Sequence, residues 1–243
     1  GNTLGLTAGD GNIVLPNALG STDRLGAVTI NSANNVAGNT GATADTGNIT
    51  AVSITQTAGS GTSRFSVLNT NGATGLDLNG TNFTLNGTVT ASGTGGFSVT
   101  NSGLLDIAPG ADFTLDGAFL QDGGGTVQTA GDISTTDDQI DFTNAVTLTD
   151  GHAVVFHTDT AGGNIRFQTT LNGTTDFGED LELTAGTGNI TFTGVVGGTN
   201  DLGFLDIVSA GNVSFAAALN TGSVRQQNGS GATSFNGLVT LGQ

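Results

Sequence analysis

The sequence predicts an all-β chain folded as a parallel β-solenoid with coils of about 20–30 residues. Three observations carry that expectation. Glycine makes up 42 of the 243 residues and proline only 2, so turns are frequent and tight. Apolar and polar residues alternate in short runs rich in Val, Ile, Leu and Thr, which is the period of a strand with one buried side. The same phrases also return along the chain.

The longest return is LGLTAGDGNI at 4–13, which reappears as LELTAGTGNI at 181–190 with eight of ten positions identical, an offset of 177 residues. The offset holds through Leu25-Gly26 and Leu202-Gly203, Ile30 and Ile207, Ser32-Ala33 and Ser209-Ala210, and Asn35-Val36 and Asn212-Val213. It then drops to 170, where ITQTAGSGTSRF (54–65) matches VRQQNGSGATSF (224–235), so seven residues are deleted between the matches. Residues 1–243 therefore read as one continuous solenoid, with a long repeat over 4–180 and a partial second copy over 181–243. Solenoids that stand alone carry polar caps. None is evident, so the expectation is an excerpt from a longer array, with any targeting segment outside it.

A shorter motif, Asn/Asp-Φ-x-Φ with Φ apolar, recurs inside the long one. It occurs at Asn12, Asn82, Asp112, Asn164, Asn189 and Asn212, with Gln139 as a variant. The second apolar positions run Phe65, Leu85, Leu115, Phe142, Phe167, Phe192, Phe215 and Phe235, spaced 20 to 30 residues apart. If each spacing is one coil, these side chains stack in a single inward column. The Asn or Asp is expected at a corner, tolerating left-handed backbone and bonding local main chain. Helical repeats are excluded by the strand period and the glycines. A propeller blade of about 40–50 residues does not fit the long period.

Phrases such as LELTAGTGNITFTGVVGG (181–198), LDIVSAGNVSF (205–215), TNSGLLDIAPGADFTLDGAF (100–119) and TAGDISTTDDQIDFTNAVTL (129–148) give the chain its character. On them it resembles giant repetitive bacterial surface proteins of the filamentous-haemagglutinin and autotransporter-adhesin type. That resemblance implies a long right-handed β-helix projecting from the cell. It also implies a role in attachment, cell–cell contact or an external sheath, with surface glycans or other cells as partners.

Composition removes several function classes. The net charge is −16 and there are four cationic residues, the scattered Arg24, Arg64, Arg166 and Arg225. A nucleic-acid or anionic-membrane surface needs clustered positive charge, so neither partner is expected. With no Cys there is no disulfide, thiolate zinc site or thiol nucleophile. An oxidising extracellular setting is compatible with that absence. No apolar run reaches the length of a transmembrane helix.

Candidate chemistry is thin, and no catalytic, cofactor or metal residue is assigned. Asp137, Asp138 and Asp141 form an acidic cluster. Such carboxylates could bind calcium weakly, or act as acid and base in a polysaccharide-cleaving β-helix. The plainer reading is a solvated turn. Asp176, Glu179, Asp180 and Glu182 form a second acidic stretch, read as surface because Glu182 aligns with Gly5 and Asp180 with Thr3. His152 and His157 are expected on opposite sides of a strand. The Thr-x-Thr pairs Thr147/Thr149 and Thr191/Thr193 recur at no fixed place in the coil, which argues against an ice-binding face. The sequons at Asn48, Asn82, Asn189 and Asn212 read as turn composition. Neither a calcium nonapeptide repeat nor a phosphate-binding loop is present. The expectation is a structural segment of an extracellular bacterial filament or adhesin that joins end to end with other copies or adjacent repeats. The alternative is a carbohydrate-active enzyme.

Overall fold

The computed structural model describes residues 1–242. They form 28 strands and no helix, wound into a parallel β-solenoid of about 11 coils. Each coil passes through three faces. Face I carries the inward column Leu6, Ile30, Gln56, Leu78, Val99, Gln121, Phe142, Phe167, Phe192, Phe215 and Phe235, each residue the parallel partner of the next. Face II carries Ile13, Val36, Ser63, Phe83, Leu105, Val127, Val146, Leu171, Val196, Leu219 and Val239. Face III carries Leu19, Ile49, Leu68, Val89, Phe113, Ile133, Phe156, Leu183, Ile207 and Gln226. Strands repeat about every 4.8 Å, so the rod is about 50 Å long.

Alternation explains why these strands form. In Ile140–Phe142, Ile165–Phe167, Ile190–Phe192 and Val213–Phe215 the first and third residues are buried and stack on their equivalents one coil away. The rings of Phe142, Phe167, Phe192 and Phe215 stack nearly parallel in succession, with centroids 5.4, 5.2 and 4.6 Å apart and interplanar angles of 9°, 1° and 8°. Ten of the thirteen phenylalanines are fully buried.

The single column read from the sequence is corrected here. Phe65 and Leu85 lie on face II, Leu115 lies on face III, and only from Phe142 onward do the residues share face I. Coils measured along face I run from 20 residues (Phe215 to Phe235) to 26 (Ile30 to Gln56). The 30-residue spacing from Leu85 to Leu115 spans a change of face.

The same displacement governs the long repeat. Leu4–Thr7 lies on face I of coil 1, whereas its counterpart Leu181–Thr184 lies on face III of coil 8. Ile13 is on face II and Ile190 on face I. The two copies are thus related by seven coils and two faces, not by whole coils. Their local structure is nevertheless the same. A register irregularity follows Leu6 and also Leu183. Gly9 N donates to Ser32 Oγ (3.2 Å), as Gly186 N does to Ser209 Oγ (3.1 Å). Gly9 and Gly186 both adopt left-handed backbone, with φ of 58° and 55°, which glycine accommodates without a Cβ clash. The seven residues absent from the second copy fall where residues 38–46 form an outward loop, closed by Gly38 N donating to Ala44 O (2.8 Å).

A second correction concerns the Asn/Asp of the short motif. None of these residues has positive φ. Their side chains bridge coils instead of capping their own corner. Asn164 Oδ1 accepts from Asn189 N (2.8 Å), Asn189 Oδ1 from Asn212 N (2.9 Å), and Asn212 Oδ1 from Ala232 N (2.9 Å). Asn12 and Asn35 do the same ahead of face II, and Asp112 and Asp132 ahead of face III. The ladder therefore steps from one corner to the next along the rod.

Candidate functional site

The polar side chains that sequence singled out are distributed over separate jobs. Asp137 takes a left-handed turn position (φ 61°), and its Oδ1 accepts from Ala161 N (2.9 Å) and Gly162 N (3.2 Å) of the next coil. Asp138 is engaged through its main-chain oxygen, which accepts from Thr135 Oγ1. Asp141 is the outward residue of Ile140–Phe142, yet it is buried beneath its partners on the adjacent coil. It pairs with Arg166, its register partner, and accepts from Gln168 Nε2 at 3.0 and 3.1 Å. Part of this cluster is thus not a solvated turn. The Asp137 and Asp141 carboxylates are directed at different partners.

The second acidic stretch departs further from a surface reading. Glu179 is 1% exposed. Its carboxylate accepts from the Thr174 hydroxyl and from the backbone N–H groups of Thr174 (2.9 Å) and Thr175 (3.3 Å), closing the loop it terminates. Asp176 accepts from Asp201 N and Asp180 from Phe204 N. Glu182 stands in an outward row with Asp206 and Arg225 on face III. His152 lies 3.6 Å from Asp150 and is largely exposed; His157 sits in the strand Ala153–His157 as the register partner of Ser134 and Thr184. Among the described residues no group of three or more His, Asp or Glu is placed to hold a metal ion.

One constellation recurs that sequence reasoning missed. On face III, Asp206 pairs with Arg225, its register partner, through Nε (3.1 Å) and Nη2, and accepts from Gln227 Nε2 (2.9 Å). The arrangement repeats Asp141–Arg166–Gln168 of face I residue for residue. In both, a Φ-Asp-Φ strand precedes a Φ-Arg-x-Gln strand by one coil, a signal that was available in the sequence once coil length was known. The Arg225 guanidinium also lies 5.2 Å from the Phe204 ring centroid. Its hydrogen bond holds the Asp206 carboxyl below the ordinary carboxylate range against the opposing effect of burial. At the equivalent places in the first copy stand Thr29 and Thr55, also register partners. Arg64 completes a third pair with Asp45 (3.4 Å), and Arg24 donates to the carbonyls of Ala51 and Asn69.

The arrangement can tie coils together along the axis. A shallow depression of about 370 Å³ on face I is lined by Thr74, Leu76, Asp77, Gly96, Phe97, Ser98, Ala118 and Leu120, with Asp77 its only carboxylate. Acid–base cleavage of a glycosidic bond needs two carboxyl groups flanking one bond. The outward row of face I changes character at nearly every coil, through Thr55, Asp77, Ser98, Leu120, Asp141, Arg166 and Thr191. Comparison with protein-family models, with curated proteins and with solved structures yields no match to this chain.

Proposed function

We propose that this chain is a structural rod segment of an extracellular bacterial surface filament or adhesin, giving stiff reach for attachment, cell–cell contact or a sheath. The observation that carries the reading is the continuity of the three inward columns, with charged side chains tied from coil to coil outside them. Such a build makes length and stiffness its product. The Thr/Asn/Gly-rich acidic exterior and the absence of Cys support a setting outside the cell. Partners end to end are adjacent repeats or other copies.

The test is the association state of the purified chain over a concentration series, read by sedimentation and negative-stain microscopy. Rods in multiples of about 50 Å are expected. Compact, monodisperse particles at every concentration would overturn end-to-end association. Release of reducing ends from acidic or neutral polysaccharides, abolished in Asp138→Ala or Asp141→Ala, would replace the structural reading with an enzymatic one.

A further inference from the structure

Ten phenylalanines are buried and Phe235 belongs to the eleventh coil, but Phe177 is turned outward within the body of the rod, 40% exposed. It also has φ +60°, and among the described residues other than glycine with positive φ it is the only bulky side chain. A left-handed conformation is unfavourable for such a residue, and it persists where surrounding contacts impose it. Phe177 lies in residues 173–179, between the strands Leu171–Asn172 and Asp180–Thr184 of coil 8. Buried Glu179 closes this loop from beneath. Phe177 N donates to Asp201 O (2.9 Å), and Asn200 Nδ2 donates to Gly173 O (3.1 Å) and Thr174 O (3.0 Å), so the loop lies flat on coil 9.

The ring reaches further. Gly222 of coil 10 and Gly242 of coil 11 stand at the same corner, between faces II and III. A Cβ on Gly222 would lie 3.3 Å from Phe177 Cδ1, and one on Gly242 would overlap the ring itself. The glycines leave bare backbone on which the ring rests.

We propose that loop 173–179 is a lateral strap, in which Phe177 clamps coil 8 to coils 10 and 11 across Gly222 and Gly242. A solenoid couples each coil only to its neighbours and frays coil by coil. The strap couples coils two and three steps apart, so coils 9–11 open together with the loop and not singly.

Hydrogen exchange on the whole chain tests this. Phe177→Ala accelerates exchange in 219–229 and 239–241 on the order of tenfold, the loss of a half-covered ring, and leaves coils 1–6 unchanged. Phe177→Asn, which tolerates the left-handed backbone, has the same effect, because the ring and not the strain is responsible. Gly242→Ala, whose new methyl displaces the ring, reproduces the effect in the wild-type background and adds nothing to Phe177→Ala. Unchanged protection in Phe177→Ala or Phe177→Asn overturns the proposal. So does a Gly242→Ala effect that adds in full to that of Phe177→Ala.

Discussion

Replacing Phe167 by Ala asks how much of the rod's stability resides in its aromatic column. The Phe167 ring is 1% exposed and lies between Phe142 at 5.4 Å and Phe192 at 5.2 Å, with Phe156 at 5.9 Å. Truncating a fully buried phenylalanine costs about 3–5 kcal/mol from lost transfer energy and the cavity left behind. Phe167→Leu keeps most of the apolar volume and loses chiefly the two stacked contacts, each worth about 0.5–1.5 kcal/mol. The expected order is therefore Ala below Leu, and Leu below wild type by about 1–3 kcal/mol. Urea unfolding followed by far-ultraviolet circular dichroism measures both. Since coils couple to neighbours, the Ala variant is also expected to split the transition, with the coils beyond 167 unfolding first. A Phe167→Ala cost below about 1 kcal/mol with unchanged m-value, or one no larger than that of Phe167→Leu, refutes the stacked column as a main source of stability.

Three further outcomes are expected. The folded-state pKa of Asp206 lies below its ordinary 3.8, so the folded state binds fewer protons there; its contribution is complete above pH 3.8 and is lost as pH falls through that value toward the folded pKa. Asp132 has the opposite sign, because burial raises its pKa, and Asp132→Asn should equal or exceed wild-type stability at pH 7 with the difference vanishing below the carboxylate range; urea titrations at pH 7 and pH 3 read both. Asn189→Ala removes the acceptor for Asn212 N and Asn212 Nδ2 and should cost about 1 kcal/mol, while Asn189→Asp keeps the acceptor and should recover most of it in the same unfolding assay.

The fold was legible because its signals are local: alternation, glycine-rich corners, and apolar residues returning at coil spacing. The face on which each strand lies was not. Leu85 and Leu115 carry the same motif, but assigning them to faces II and III requires counting corners, and corner length varies from coil to coil. The role of the motif's Asn was misjudged for a related reason. A side chain bonding its own corner and one bonding the next coil look alike until the stacking neighbour is known. Glu179 read as surface because two of its three donors, the main-chain N–H groups of Thr174 and Thr175, have no side-chain signature in the sequence. The Asp–Arg–Gln ties were hidden because Asp206 and Arg225 lie 19 residues apart, and Asp141 and Arg166 lie 25 apart.

That the two copies of the long repeat occupy different faces explains which positions they share. A segment moved from face I to face III meets the same demand inside the tube, an apolar residue stacked on its neighbours. Leu4, Leu6, Ile30 and Phe65 accordingly correspond to Leu181, Leu183, Ile207 and Phe235. Even a polar interior device is preserved. Gln56 Oε1 accepts from Ser63 Oγ, and Gln226 Oε1 accepts from Thr233 Oγ1 at the repeat-equivalent place. Gly59 and Gly229 leave room for the respective glutamine amides. Outside, the demand differs from face to face, and there the copies diverge: Gly5 against Glu182, Thr29 against Asp206, Thr55 against Arg225. The last two changes fall on register partners, so an uncharged pair in one copy corresponds to an ion pair in the other. A buried carboxylate without its guanidinium would be costly, whereas two threonines in parallel register need no partner. Exterior residues of this rod are therefore expected to change in axial pairs, one coil apart, and a row altered at only one member is where a role other than holding coils together should be sought.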